Sequence, residues 1–504
     1  MNMTHKVFEN GWILRSDGDF EKASIVVSDN VIRHVVEEEG ALPAELGSDV
    51  ERIDLGGAYV LPGFVDTHIH LTALALNKLR CDLSKTTSAR DACETLSKWA
   101  AAHPDAPFLT GVDFDESRWD RESLPTRAML DGVDNRRPVL ARRICGHIGV
   151  ANTPLLQRLR KWPDFVDEKT GLVREQILWE AGRLWEPNPE EVVAGFKVAI
   201  KDLHRLGITT IHDIVEPNNF DIYVRGISES SAPLRIDALV HGNPRHLEYY
   251  RRQCEESSAR DFRVVGIKCF LDGSLGGRTA ALNADYSDGS GWGTLLMRKD
   301  VIRALADECF ENGYMLAIHA IGDRAIDEAV AVLRDFPKGT HLFRMEHCEV
   351  AGPTQIENLC WAPVFLSLQP NFIRNWGGAG GLNERRLGKE RNRWCNPYRS
   401  LLGAGVTCVF GSDGMPPGPL YGLRGATHHP VAEETLTPSE AIACYTSRPH
   451  SVAAHERNAG VLEPGRLADL VVLDRNPLTE DLDTVEVLKT VVDGETVFDA
   501  SAVE

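Results

Sequence analysis

The stretch LPGFVDTHIHL, residues 61–71, places His68 and His70 one residue apart at the end of an apolar run. In a β-strand, side chains at i and i+2 share a face, so the two imidazoles can grip one cation with little rearrangement. An HxH pair also arises by chance, and a metal reading depends on further ligands downstream. They occur: Lys268 and Asp272 in KCFLDG, His319 in LAIHA, His347 in RMEHC and Asp413 in FGSDG each stand near the end of another strand-like run. Inside an apolar core, four histidines, two carboxylates and a lysine would each need a separate partner. Grouped around a metal pair they satisfy one another. Nitrogen and oxygen donors with no redox demand suit zinc, with manganese, iron or cobalt also compatible.

The elements that would position these residues follow from the texture of the chain. From 58 to 455, strand-like runs alternate with amphipathic helices such as PEEVVAGFKVAIKDLHRLG and KDVIRALADECFENG. Taking RRPVLARRICGH as the second strand and ITTIHDI as the third, the runs through TCVFGSD make eight strands with helical crossovers. This is the pattern of an α/β fold, a (β/α)8 TIM barrel, in which the strands' carboxyl ends face the active site. The span exceeds the roughly 250 residues of a minimal barrel, so an insertion is expected at about 80–200. Its tryptophans (Trp99, Trp119, Trp162, Trp179, Trp185) suggest a cap over the barrel mouth. Residues 1–57 and 456–504 carry short β-runs broken by turn signals, each too short to bury a core alone. Both ends are expected to pair into one small β-sandwich.

Six blocks in order, PGFVDTHIH, KCFLDGSLGGRTA, IHAIGDRAID, RMEHCE, QPNF and FGSDG, together with the tail GVLEPGRLADLVVLD, resemble the amidohydrolase superfamily. The resemblance is to its YtcJ-like (amidohydrolase-3) branch, which includes N-substituted formamide deformylase. It implies metal-dependent hydrolysis, with His68, His70 and Asp413 on the more buried metal and His319 and His347 on the second. Lys268 would bridge the two after CO2 has carboxylated its amine. Its alternative is a plain ion pair with Asp272, leaving the histidines to hold a single metal.

The expected catalytic residues are Asp413, as proton acceptor and donor, and His147 and Arg278, as donors to a developing oxyanion. His147 in CGHIGVAN is equally suited to a supporting role. Arg278, after the glycines of SLGGRTA, could instead pair with Asp272 or Asp323. His212 is expected to support the site, Asp323 and Arg324 to fix the following helix, and His428 and His429 to be solvated. WGGAGGLNERRLGKERN is expected to be a mobile lid or substrate loop.

A net charge of −19 and a pI near 5.4 disfavour nucleic acid and anionic membranes as partners. The expected partner is a small-molecule substrate, with a homodimer left open. Eleven cysteines without a CxxC pair, no secretory apolar core at the N-terminus and no membrane-length apolar run point to the cytoplasm. The favoured reaction is hydrolysis of a linear N-substituted amide. Ester, lactone or cyclic amide hydrolysis would use the same metals, and a non-catalytic scaffold would show broken ligand positions, which this chain lacks. The one-metal deaminase pattern HxxE is absent, since His319 is followed by Ala320, Ile321 and Gly322.

Overall fold

The computed structural model describes residues 5–37, 40, 43, 50–119, 123–159, 164–184, 188–230, 232–257, 261–452 and 458–502. Eight parallel strands form the central barrel: Phe64–Ile69, Ile208–Val215, Arg235–His241, Phe262–Phe270, Met315–Ala320, Phe343–His347, Val364–Leu368 and Cys408–Phe410. The first, second, fifth and sixth are buried along their whole length, as strands covered on both faces must be. The seam between the eighth and first strands is closed by side chains. Asp66 accepts hydrogen bonds from the Ser412 amide (2.8 Å) and the Ser412 hydroxyl (2.5 Å). Gly411 permits the close approach, since a Cβ there would stand 2.4 Å from the His68 nitrogen.

RRPVLARRICGH does not supply a barrel strand. Val139–Arg143 lies in a separate six-stranded sheet, between Leu109–Phe114 and Ile148–Ala151. Leu109–Phe114 and Val139–Arg143 are parallel and flank the helix Arg127–Val133. This βαβ unit inside the insertion has the same pattern as a barrel unit, and an apolar run carries no label for its partner. The true third strand, Arg235–His241, is disguised by its charges. Arg235 pairs with Asp469 (2.6 Å) and Asp261 (2.7 Å), and Asp237 pairs with Arg263 (3.1 Å). The insertion has its own apolar core, including Leu96, Leu109, Phe114, Trp119 and Val139. Trp162 and Trp185 lie outside the described residues, as does the boundary near 455.

Strands from both termini form one eight-stranded sheet in which Leu470–Leu473 pairs with Tyr59–Pro62, and Tyr59–Pro62 with His5–Leu14. A bridge between Val31 and Leu467 folds the sheet back on itself, over an interior that includes Phe8, Ile25, Leu470 and Val491. The Arg235–Asp469 pair joins this sheet to the barrel, and Thr490 adds a hydrogen bond from its hydroxyl to the His204 carbonyl (2.6 Å). Among the described residues no helix is long and apolar enough to cross a membrane.

Candidate metal centre

Asp413 follows the eighth strand with φ at +56°, in the left-handed region. Its amide donates to the His68 carbonyl (2.6 Å). The turn brings Asp413 Oδ1 to 3.0 Å from His70 Nε2 and 3.5 Å from His68 Nε2. His68, His70 and Asp413 each offer one ligand atom, all within 4.8 Å of one another. His347 and His319 extend the group: ring centroids lie 4.8 Å apart for His68 and His347, and 4.5 Å for His347 and His319.

Three of these rings are held through one nitrogen, which determines the nitrogen left for a ligand. His68 donates from Nδ1 to Glu346 Oε2 (2.6 Å), so its Nε2 faces Asp413. His347 donates from Nδ1 to Gln369 Oε1 (2.8 Å). His319 donates from Nε2 to the Gly273 carbonyl (3.0 Å), and its buried Nδ1 has no partner. Burial pushes the His68, His319 and His347 imidazoles well below their ordinary pKa, toward the neutral, ligating form.

Lys268 on the fourth strand is wholly buried, and its Nζ has no hydrogen-bond partner. Burial lowers its pKa to about 8 against the pull of Glu346 and Asp413. It does not pair with Asp272. That carboxylate accepts hydrogen bonds from the amides of Ala281 (2.8 Å), Ile321 (3.0 Å) and Gly322 (2.9 Å), and burial raises its pKa to about 7. A buried amine without a hydrogen-bond partner, an imidazole nitrogen without one and a carboxylate shared between two histidines are costly in a dry core. They fit a divalent metal site, with His68, His70, His319, His347, Asp413 and Lys268 as the available donors.

His147 enters from the insertion. It lines the same cavity as His319, His347 and Asp413, and its ring centroid lies 5.2 Å from that of His319. Its Nδ1 is 2.8 Å from Glu175 Oε2; burial opposes the imidazolium, but this carboxylate outweighs it and raises the pKa to about 9. Arg278 is not brought into this cavity. Its guanidinium pairs with Asp288 (3.0 Å) near the surface, where Asp288 also binds Arg386. The expected lid is largely helical over Leu382–Asn392, with a kink at Gly388 (φ +72°), and is anchored by the buried Arg386, which donates to the carbonyls of Leu275 and Gly276 (both 3.2 Å). A run rich in glycine and charge hides such an anchor, because one arginine aimed inward has the same composition as one aimed outward.

His212 supports the site at one remove, accepting from Arg344 (2.9 Å). His428 is exposed, but His429 is buried, with its ring edge-on to Tyr398. Asp323 accepts from the amides of Asn283 (2.8 Å) and Arg324 (3.0 Å) at the start of its helix. The residues missed by the sequence reading are Glu346, Glu175 and an apolar wall of Phe372, Trp376, Leu382 and Met415. Only Glu346 left a signal. It stands two residues from Arg344 on one strand face, two charges where a barrel interior should be apolar.

A parallel barrel with imidazoles and a carboxylate gathered at the carboxyl ends of its strands is the layout of a metal-dependent enzyme. Residues 51–498 match the Amidohydrolase family, and the chain belongs to it. It is 29% identical to YtcJ of Bacillus subtilis (strain 168), over 98% of this chain and 99% of that protein. It is 25% identical to N-substituted formamide deformylase of Arthrobacter pascens, over 91% of this chain and 92% of that one. A crystal structure of an uncharacterized metal-dependent hydrolase from Pyrococcus furiosus superimposes with a TM-score of 0.74 at 28% identity, covering 94% of this chain and 100% of that chain.

Proposed function

We propose that the protein hydrolyses the C–N bond of a small, linear N-substituted amide with two zinc ions, which His68, His70, His319, His347, Asp413 and a carboxylated Lys268 would hold. The observation that carries this reading is the meeting of His68, His70 and Asp413 beside the unpartnered Lys268 amine. The similarity to a formamide deformylase favours an amide over other carbonyl substrates.

Bound divalent ions supply hydroxide at neutral pH by bringing the pKa of coordinated water to about 7. The chain's residues then have separable tasks. Asp413, next to His68 and His70, accepts the proton of the attacking water and passes it to the departing nitrogen. His147 donates to the carbonyl oxygen as negative charge develops there. Phe372, Trp376, Leu382 and Met415 form an apolar wall of the cavity suited to an alkyl or aryl group on nitrogen. This wall follows the seventh and eighth barrel strands. Water adds across the bond, giving a carboxylic acid and an amine.

Ester or lactone hydrolysis is the second reading, since the same residues would act on those carbonyls. Turnover of N-substituted formamides, cyclic ureides and lactones, with metal content measured on the same sample, tests both readings. Faster turnover of linear amides at about two metals per chain is expected; activity confined to lactones or ureides overturns the proposal. All eleven cysteines are unpaired, which supports a cytoplasmic setting. A small-molecule substrate and a homodimer complete the proposal.

A further inference from the structure

We propose that Glu175 is a positioning residue, through which the inserted domain fixes the His147 ring over the barrel's metal cavity. Two hydrogen bonds join the pair. Glu175 Oε2 accepts from His147 Nδ1 (2.8 Å), and the Glu175 amide donates to the His147 carbonyl (3.0 Å). Glu175 is 1% exposed, so water does not compete for the carboxylate.

The backbone is strained in favour of this contact. Glu175 has φ at +45°, a left-handed conformation at the junction between the strand Leu172–Arg174 and the helix Glu175–Arg183. A residue other than glycine is strained in that conformation. The barrel makes room for the carboxylate as well. Gly273 follows the fourth strand, and a Cβ there would stand 2.5 Å from Glu175 Oε1. The carbonyl of Gly273 holds His319 (3.0 Å). Glu175 therefore packs between the ring it orients and the segment that orients a metal ligand. With Nδ1 bonded to Glu175, the other ring nitrogen, Nε2, is turned away from that carboxylate.

The inference rests on carbonyl hydrolysis at this cavity, and its test separates the two. Glu175→Ala is expected to lower kcat about 100-fold, the scale of a lost oxyanion donor, with KM and metal content unchanged. His147→Ala should cost the same, and the double variant no more than either alone. Glu175→Gln keeps an acceptor without its charge and should lie between wild type and alanine, an effect that disappears in a His147→Ala background. Independently of any substrate, 15N-histidine spectra should show the His147 Nδ1–H signal, assigned by its loss in His147→Ala, broadened or lost in Glu175→Ala. Additive losses in the double variant, or wild-type kcat in both Glu175 variants, would overturn the inference. If Glu175→Ala does not fold, the glutamine change in the two backgrounds still decides. Failure of the wild type on every amide counts against the proposed function alone.

Discussion

His68 Nδ1 and Glu346 Oε2 lie 2.6 Å apart, both fully buried, and this bond turns the other ring nitrogen of His68 toward Asp413. Glu346 is itself held by Arg344, whose Nε lies 2.6 Å from Oε1. Glu346 and His347 are neighbours in sequence, yet both reach His68. Consecutive residues of a strand point to opposite faces, and the positive φ of His347, +70°, is what breaks the alternation. A carboxylate behind a ligating imidazole fixes its tautomer and raises its basicity.

Glu346→Gln should therefore weaken metal binding by about 10–100-fold. The amide still accepts from His68, but Arg344 loses its counter-charge, and breaking a buried ion pair costs about 3–5 kcal/mol. Titration of the metal-free protein with zinc, with urea denaturation alongside, measures both effects. Unchanged zinc affinity in a folded variant would remove Glu346 from the site.

His204 gives the fold an acid-sensitive joint. It lies on the helix Pro189–Arg205, its Nε2 is 2.9 Å from the Pro233 carbonyl, and burial lowers its pKa to about 4. Between its ordinary value of 6.5 and about 4, the unfolded chain binds a proton that the folded chain refuses. Its contribution is thus intact above pH 6.5 and lost as pH falls through 4, by up to about 3 kcal/mol. Urea denaturation at pH 7.0, 5.5 and 4.5 should show this loss in the wild type and a flatter dependence in His204→Asn. Equal slopes in the two proteins would rule out His204 as the titrating group.

The candidate ligands were readable because a short HxH spacing and histidines at strand ends announce themselves locally. What stayed hidden depends on partners far away in sequence. Glu175 and His147 are joined across 28 residues, and Arg235 finds Asp469 across 234. Nothing near either residue encodes the meeting. Val139–Arg143 looked like a barrel strand because its βαβ unit has the pattern of one. Arg278 follows the glycines of the SLGGRTA loop, but Asp288, ten residues on, claims it. Composition finds the chemistry, whereas the partner of each charge comes only from the fold.

Lys268 offers the cleanest test of a bridged centre. A wholly buried amine with no hydrogen-bond partner, its pKa lowered to about 8, lies closer than a free lysine to the neutral form that takes up CO2. Lys268→Ala should lose metal and most activity, with partial rescue of both by short carboxylates. 13C-bicarbonate should give a carbamate resonance in the wild type that the variant lacks. A wild-type protein with full metal and no such resonance would overturn carboxylation, leaving the histidines and Asp413 to hold the metal.

In the proposed mechanism Asp413 combines two tasks that differ in what they require of the side chain. As a ligand beside His68 and His70 it needs an oxygen lone pair, which an amide retains. As proton acceptor it needs a basic carboxylate, which an amide is not. Asp413→Asn should therefore keep most bound metal while kcat falls by at least about two orders of magnitude, the lower end of what general acid–base catalysis contributes. The acid limb of the wild-type pH profile belongs to the coupled carboxylate, metal and water, and no single residue owns that apparent pKa. In the asparagine variant the limb should shift or vanish rather than merely scale, because a simple loss of folded protein lowers the whole profile without changing its shape. Metal content by plasma spectrometry, and kcat against pH on the same sample, separate the two tasks. A variant with full metal, near-normal kcat and an unshifted limb would remove Asp413 from proton transfer, and one without metal would make its role that of a ligand.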